Sequence, residues 1–266
     1  MGSGRAIYFD GINDYVDFGD RYHDLNMPFT VSAWLYRDPT ATGSAPIFVT
    51  NDNFDASGNR YRGFWFYITD FNLFCEFGDG FGGNNPAFRR GKVANIPNVE
   101  GKWVHVCVVM MSPFDIDLYL NGVNLGGSTT GESMQPMALS SPGDHAKSGY
   151  QISNDGLEYK MKGMIDEIRL WNRALTQSEV RSTMCKKLSG NESGLVGYWN
   201  FDETSGTTAI DKSSNGFNGE LMNSPTRVYS GAPIGDESTF LYTASWAGTV
   251  LTETEHGETV EVSNVL

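Results

Sequence analysis

A chain of 266 residues can bury one sizeable core, as a single large β domain or as one domain with a fragment attached. Aromatic residues make up 13% of it and glycine occurs 31 times, a mixture that favours strands and tight turns over helix bundles. The formal charge of -13 argues against nucleic acid as a partner and welcomes divalent cations, and no run approaches the ~20 apolar residues that membrane insertion needs.

The opening MGSG has neither a basic nor an apolar stretch and reads as a cloning scar over residues 1–4, so a native signal peptide is missing rather than disproved. From there on, period-two alternation bounded by Gly, Pro, Asn or Asp marks a succession of half-buried strands. AIYFDG is the first. In FTVSAWLYR, Phe29, Val31, Ala33 and Leu35 share one face, and Thr30, Ser32, Trp34 and Tyr36 share the other. PIFVTN, YRGFWFYI and NLFCEFG follow. Phe64, Phe66 and Ile68 are the more uniformly apolar set and are assigned inward, which leaves Trp65 and Tyr67 towards the exposed side of the sheet. WVHVCVVMM and IDLYLNG lead into Asn121-Gly122, a pair that tolerates the positive φ angles of a tight type I′ hairpin. GYQIS, MKGMIDEIRLW and LVGYWNF complete the set. The spacing of strands and turns predicts an all-β, two-sheet antiparallel sandwich.

One helix is predicted near 176–188. Thr176 and Glu179 have the spacing of a capping box, and Val180, Met184 and Leu188 form one apolar stripe, which suits a lid on the sandwich rim. The sandwich is expected over 5–230. Residues 231–266 read as extra strands or the start of a further module, and the abrupt stop suggests a chain cut from a longer protein.

Strict alternation through MIDEIRLW puts Asp166 with Met164, Ile168 and Leu170, and Glu167 with Ile165, Arg169 and Trp171. The two carboxylates would then point to opposite sides and could not form a same-face catalytic pair. Cys75 and Cys107 both lie in apolar strand runs, where buried free thiols and a cross-strand disulfide are both open readings. Cys185 is left over on the polar helix.

FDGINDYV and IDEIRLWNRAL, with FTVSAWLYR, KWVHVCVVM and LYLNGV in order between them, resemble the concanavalin A-like, laminin-G-type jelly rolls, in particular the bacterial branch related to pentraxins. The resemblance implies a jelly roll carried by secreted or surface multidomain proteins, with glycans or cell-surface partners as ligands, neighbouring domains in the same chain, and often a bound calcium ion. It also implies that the first strand pairs with MIDEIRLW, which would bring Asp10 and Asn13 to Asp166 or Glu167. GLVGYWNFDETSGTTAIDKSSNGFNGEL resembles a segment that often opens such domains. Here it follows the body of the domain and is read as its closing strand and loop.

Calcium takes about six to eight oxygen ligands, and loops dense in Asp, Asn and Gly supply them. The candidate metal ligands are Asp10, Asn13 and Asp166, and in a second loop Asp211, each with a plain alternative in turn-amide bonding. Asp52 and Asn53 stand in a third such loop and are counted with the ligand-binding candidates rather than the metal set. Sugar binding needs an aromatic platform and polar groups for hydroxyls. Tyr61, Arg62, Trp65 and Tyr67 offer the first kind of surface, and Asp79 and Asn84 in FGDGFGGNNPAFRR add polar groups in a Gly-rich loop. The E-x-D-x-x-E strand of retaining glycosidases is absent, and His23, His105, His145 and His256 sit in unrelated segments. The expected function is therefore a non-catalytic module for calcium-dependent glycan binding or adhesion in a larger extracellular protein. The alternatives are a structural or protein-contacting domain and, behind both, a polysaccharide-degrading enzyme.

Overall fold

The computed structural model describes residues 4–50, 62–81, 86–140, 143–152 and 157–235, and the backbone of 241–245, 250–255 and 258–263. The strands in chain order are β1 (Arg5–Asp10), β2 (Tyr15–Asp17), β3 (Phe29–Arg37), β4 (Ala45–Val49), β5 (Phe64–Ile68), β6 (Asn72–Gly78), β7 (Arg89–Asn95), β8 (Trp103–Ser112), β9 (Asp115–Leu120), β10 (Val123–Asn124) and β11 (Ser128–Gly131). They continue as β12 (Lys147–Ser148), β13 (Tyr150–Ile152), β14 (Glu158–Lys160) and β15 (Lys162–Trp171), then helix α1 (Gln177–Met184), then β16 (Leu195–Trp199), β17 (Thr208–Ala209), β18 (Gly219–Met222) and β19 (Thr226–Tyr229). A separate three-stranded antiparallel sheet closes the described chain, β20 (Leu241–Ser245), β21 (Val250–Glu255) and β22 (Glu258–Ser263).

Two large antiparallel sheets face each other. One has eight strands in the order β10-β9-β8-β3-β15-β1-β19, with β16 also paired to β15; the other has nine, in the order β11-β7-β6-β5-β4-β12-β2-β18-β17. The all-β sandwich is as the alternation predicts. Phe29, Val31, Ala33 and Leu35 of β3 meet Phe64, Phe66 and Ile68 of β5 in one core, all of them fully buried. Each of the larger ones, Ala33 apart, contributes roughly 1.5–3 kcal/mol through its removal from water. Asn121 (φ 48°) and Gly122 (φ 73°) turn β9 into β10 with the two positive angles that a type I′ turn requires. The GLVGYWNF segment and the loop after it serve both sheets of the same sandwich, β16 pairing with β15 and β18 with β2.

Two expectations are corrected, and one open alternative is decided in favour of free buried thiols. The first concerns the face count along β15. Its register against β3 shifts between Asp166 and Arg169, and Glu167 takes a left-handed conformation (φ 53°). This bulge adds one residue to the strand, so Ile165, Ile168 and Leu170 all reach the inner core. Asp166 and Glu167 therefore both lie on the outer side. The second concerns α1, which covers the outer face of the eight-stranded sheet rather than its rim. Val180 packs with Cys107, Val109, Tyr119 and Trp171, and Met184 packs with Trp34. The open alternative is that of the thiols. Cys75 and Cys107 are free, buried in different sheets, and the Cys75 Sγ touches Met110 Sδ at 3.9 Å.

Candidate functional site

The outer face of the nine-stranded sheet carries the aromatic residues. On β5, Trp65 and Tyr67 do point outward as expected, yet they are only 7% and 5% exposed. The hairpin of β13 and β14 brings Tyr159 over them: its ring lies 5.4 Å from that of Tyr67, and Phe74 of β6 closes the other side at 5.0 Å. An open platform of Trp65 and Tyr67 is thus excluded, because a later segment of the chain covers both rings. What remains half-exposed is the cover itself, Phe74 and Tyr159.

A second pair stands beside β2, where half-exposed Tyr15 stacks on Tyr150 at 6.1 Å and the Lys147 ammonium lies 4.6 Å from the Tyr15 ring. Tyr150 donates its hydroxyl to Glu158 Oε1 at 2.9 Å, and Lys160 approaches the other oxygen of Glu158 at 2.7 Å. Those two bonds hold the Glu158 carboxyl below the usual carboxylate range, so it is an ionised acceptor. On β6, Glu76 is half-buried, 3.6 Å from Arg89. Rings that can stack on a pyranose and carboxylates that can accept from its hydroxyls are therefore neighbours on this sheet. Phe74, Tyr150 and Tyr159 were not singled out from sequence. Alternation in NLFCEFG does place Phe74 opposite to Leu73 and Cys75, which was the available signal.

Arg62 is half-buried at the start of this face, next to Gly80. Asp79 is committed to its own loop: it accepts from the Phe81 amide at 3.0 Å and from the Ser133 hydroxyl. Asp52, Asn53, Tyr61 and Asn84 lie outside the described residues.

The candidate calcium ligands do not converge. β1 does pair with β15, but in a register that sets Asp10 opposite Lys162. Asp166 is four positions farther along, ~13 Å at ~3.3 Å per residue. Asp10 is exposed and accepts the Ile12 amide at 2.7 Å, whereas Asp166 is fully buried and accepts the Glu167 amide at 2.7 Å. Asn13 offers its backbone carbonyl to Asn223 at 2.8 Å. Asp211 is filled by protons: the amides of Tyr198, Ser213 and Phe217 and the Ser213 hydroxyl all donate to it at 2.8–2.9 Å. Four donors aimed at one carboxylate stitch the loop and repel a cation. Among the described residues no group of three or more His, Cys, Asp or Glu is arranged to hold a metal ion.

Beneath α1 lies a buried polar network. Glu167 pairs with Arg169 at 2.5 Å and accepts the Tyr198 hydroxyl at 2.9 Å, while Arg169 donates to the carbonyls of Thr183 and Lys186. Burial pushes the Glu167 carboxyl up against the pull of Arg169 and Tyr198. His105, 2% exposed, is pushed down to about 3 by burial and by the charge of Arg169.

Residues 10–181 match the family described as the concanavalin A-like lectin/glucanases superfamily. The chain belongs to this superfamily. Comparison of this lectin/glucanase-like chain with curated proteins finds no match. Among solved structures it is similar to a Bacteroides ovatus protein provisionally described as carbohydrate-binding, with 18% identity and a TM-score of 0.59 over 89% of this chain. That similarity spans 63% of the Bacteroides ovatus chain. Weaker similarity is found to a heptameric pentraxin from Limulus polyphemus (17% identity, TM-score 0.48, 86% of this chain and 95% of that one) and to domains LG4-5 of the mouse laminin alpha1 chain (13%, 0.45, 65% and 46%).

Proposed function

We propose that the domain is a non-catalytic glycan-binding module whose ligand lies on the outer face of the nine-stranded sheet. The observation that carries this reading is the half-exposed pair Phe74 and Tyr159, set over buried Trp65 and Tyr67, with Glu76 two residues from Phe74 on the same face of β6. A pyranose presents an apolar face to such rings and hydroxyls to such carboxylates. The similarity to lectin-like jelly rolls supports it as analogy, since a fold alone does not transmit function. Glycosidase chemistry needs two carboxylates facing one open cleft. Asp166 and Glu167 sit instead beneath α1, buried and engaged in hydrogen bonds. With this reading we also propose an extracellular setting and an adhesive role.

The test is a glycan array followed by calorimetry on the wild type and on a Phe74→Ala/Tyr159→Ala variant. The expected result is a glycan hit in the wild type and at least a tenfold loss in the variant, since burying an aromatic side chain against an apolar surface contributes roughly 1.5–3 kcal/mol and a tenfold change is about 1.4 kcal/mol. A wild type that binds no glycan at high concentration sinks the reading and leaves a protein-contacting domain.

A further inference from the structure

The eight-stranded sheet has an outer face of its own, and α1 covers only part of it. Strand register aligns Tyr8 of β1 with Met164 of β15, Met164 with Tyr36 of β3, and Tyr36 with Trp103 of β8. These four neighbours in a straight row across the sheet are all half-exposed, and the Tyr36 and Trp103 rings are 6.0 Å apart. Three inter-strand steps of ~4.8 Å make the row ~14 Å long, about the reach of three linked sugar rings.

The row has two unlike banks. On one side the next residues of the same strands, Asp166, Trp34 and His105, are buried, with Met184, Ala232 and Ile234 packed over Trp34. On the other side come Asp10, opposite Lys162, and Asp38 at the end of β3. The Tyr8 hydroxyl is held above its usual range by burial and by the charges of Asp38, Asp10 and Asp14, which places those carboxylates around it. Lys162 is turned to the Thr40 hydroxyl at 2.5 Å and lies 4.0 Å from Asp38.

We infer that this row is a second binding site, for an extended neutral polysaccharide running across the strands. A row of single side chains offers far less than the ~800 Å² per partner that a protein interface buries. It is wide enough for a sugar chain to stack on Tyr8, Tyr36 and Trp103 in turn. The acidic bank accepts hydrogen bonds from hydroxyls and repels uronates and sulfates, as does the net charge of -13. The inference is independent of the site on the nine-stranded sheet and stands or falls separately.

Affinity electrophoresis in gels containing barley β-glucan, xyloglucan or galactomannan, with polygalacturonate as the anionic control, tests it. Retardation is expected in at least one neutral gel and not in polygalacturonate. Phe74→Ala/Tyr159→Ala removes the other site and should leave a residual shift, and adding Tyr8→Ala/Tyr36→Ala to that variant should weaken the residual shift at least tenfold. If the Tyr8 and Tyr36 changes impair folding, titrating the Phe74→Ala/Tyr159→Ala variant with and without Trp103→Phe replaces them, and only the variant that keeps Trp103 should show a change in tryptophan emission. In that background, retardation that survives the Tyr8/Tyr36 change or an emission change unaltered by Trp103→Phe overturns the site, as does retention in polygalacturonate alone or in no neutral gel. Loss caused by Phe74→Ala/Tyr159→Ala alone would keep the proposed function and remove this second site.

Discussion

Single residues show how closely charge is managed beneath α1. Arg169 is fully buried and its counter-ion is Glu167. Glu167→Gln keeps the shape but removes the charge, and such a loss of one partner from a buried pair costs about 3 kcal/mol or more. Urea unfolding monitored by tryptophan emission should show that drop. His105 supplies a pH signature of defined sign. Its folded pKa is depressed from 6.5 to about 3, so it is neutral in the fold and takes up a proton on unfolding. Its contribution is complete above the unfolded value and is lost as pH falls through the window from about 6.5 to about 3, at about 1.4 kcal/mol per pH unit. The stability difference between wild type and His105→Gln should therefore shrink steadily when chemical unfolding is repeated from pH 7 to pH 4.5; a constant difference would show that the folded and unfolded pKa of His105 are alike.

At the level of elements, the capping box of α1 is complete, with Thr176 accepting from the Glu179 amide and Glu179 accepting from the Thr176 amide. Thr176→Ala should cost about 1 kcal/mol in thermal or chemical unfolding. This box, the Asn121-Gly122 turn and the inward set Phe64, Phe66 and Ile68 were all legible in the sequence, because each is decided by residues a few positions apart. The features that were not legible depend on distant partners. The bulge at Glu167 shifts the pairing of β15 against β3, and a count by twos assigns Asp166 and Glu167 to opposite sides when they share one. Trp65 and Tyr67 point outward as alternation says, yet Tyr159, more than ninety positions later, decides that they are covered. Asp10 and Asp166 are kept apart for the same kind of reason. Pairing of β1 with β15 was foreseen, whereas the register that opposes Asp10 to Lys162 was not.

At the level of the molecule, the sandwich seals its thiols. Cys75 faces the core, where burial pushes its thiol up to about 12, and burial raises Cys107 as well. Neither should react with a maleimide over minutes in native buffer, and both should label fully in denaturant; mass spectrometry of the modified peptides reads the outcome. The pairing of β1 with β19 has a consequence of another kind. Arg5 stands opposite Tyr229, so the sandwich begins and finishes on adjacent strands. The first and last strands of the two sheets therefore lie side by side, and the chain runs on from there over Trp34 to Gly235 beside Lys186. Such a unit can be spliced into an exposed loop of another protein, or circularly permuted by joining its two ends and reopening the Asn121-Gly122 turn, with few pairings disturbed.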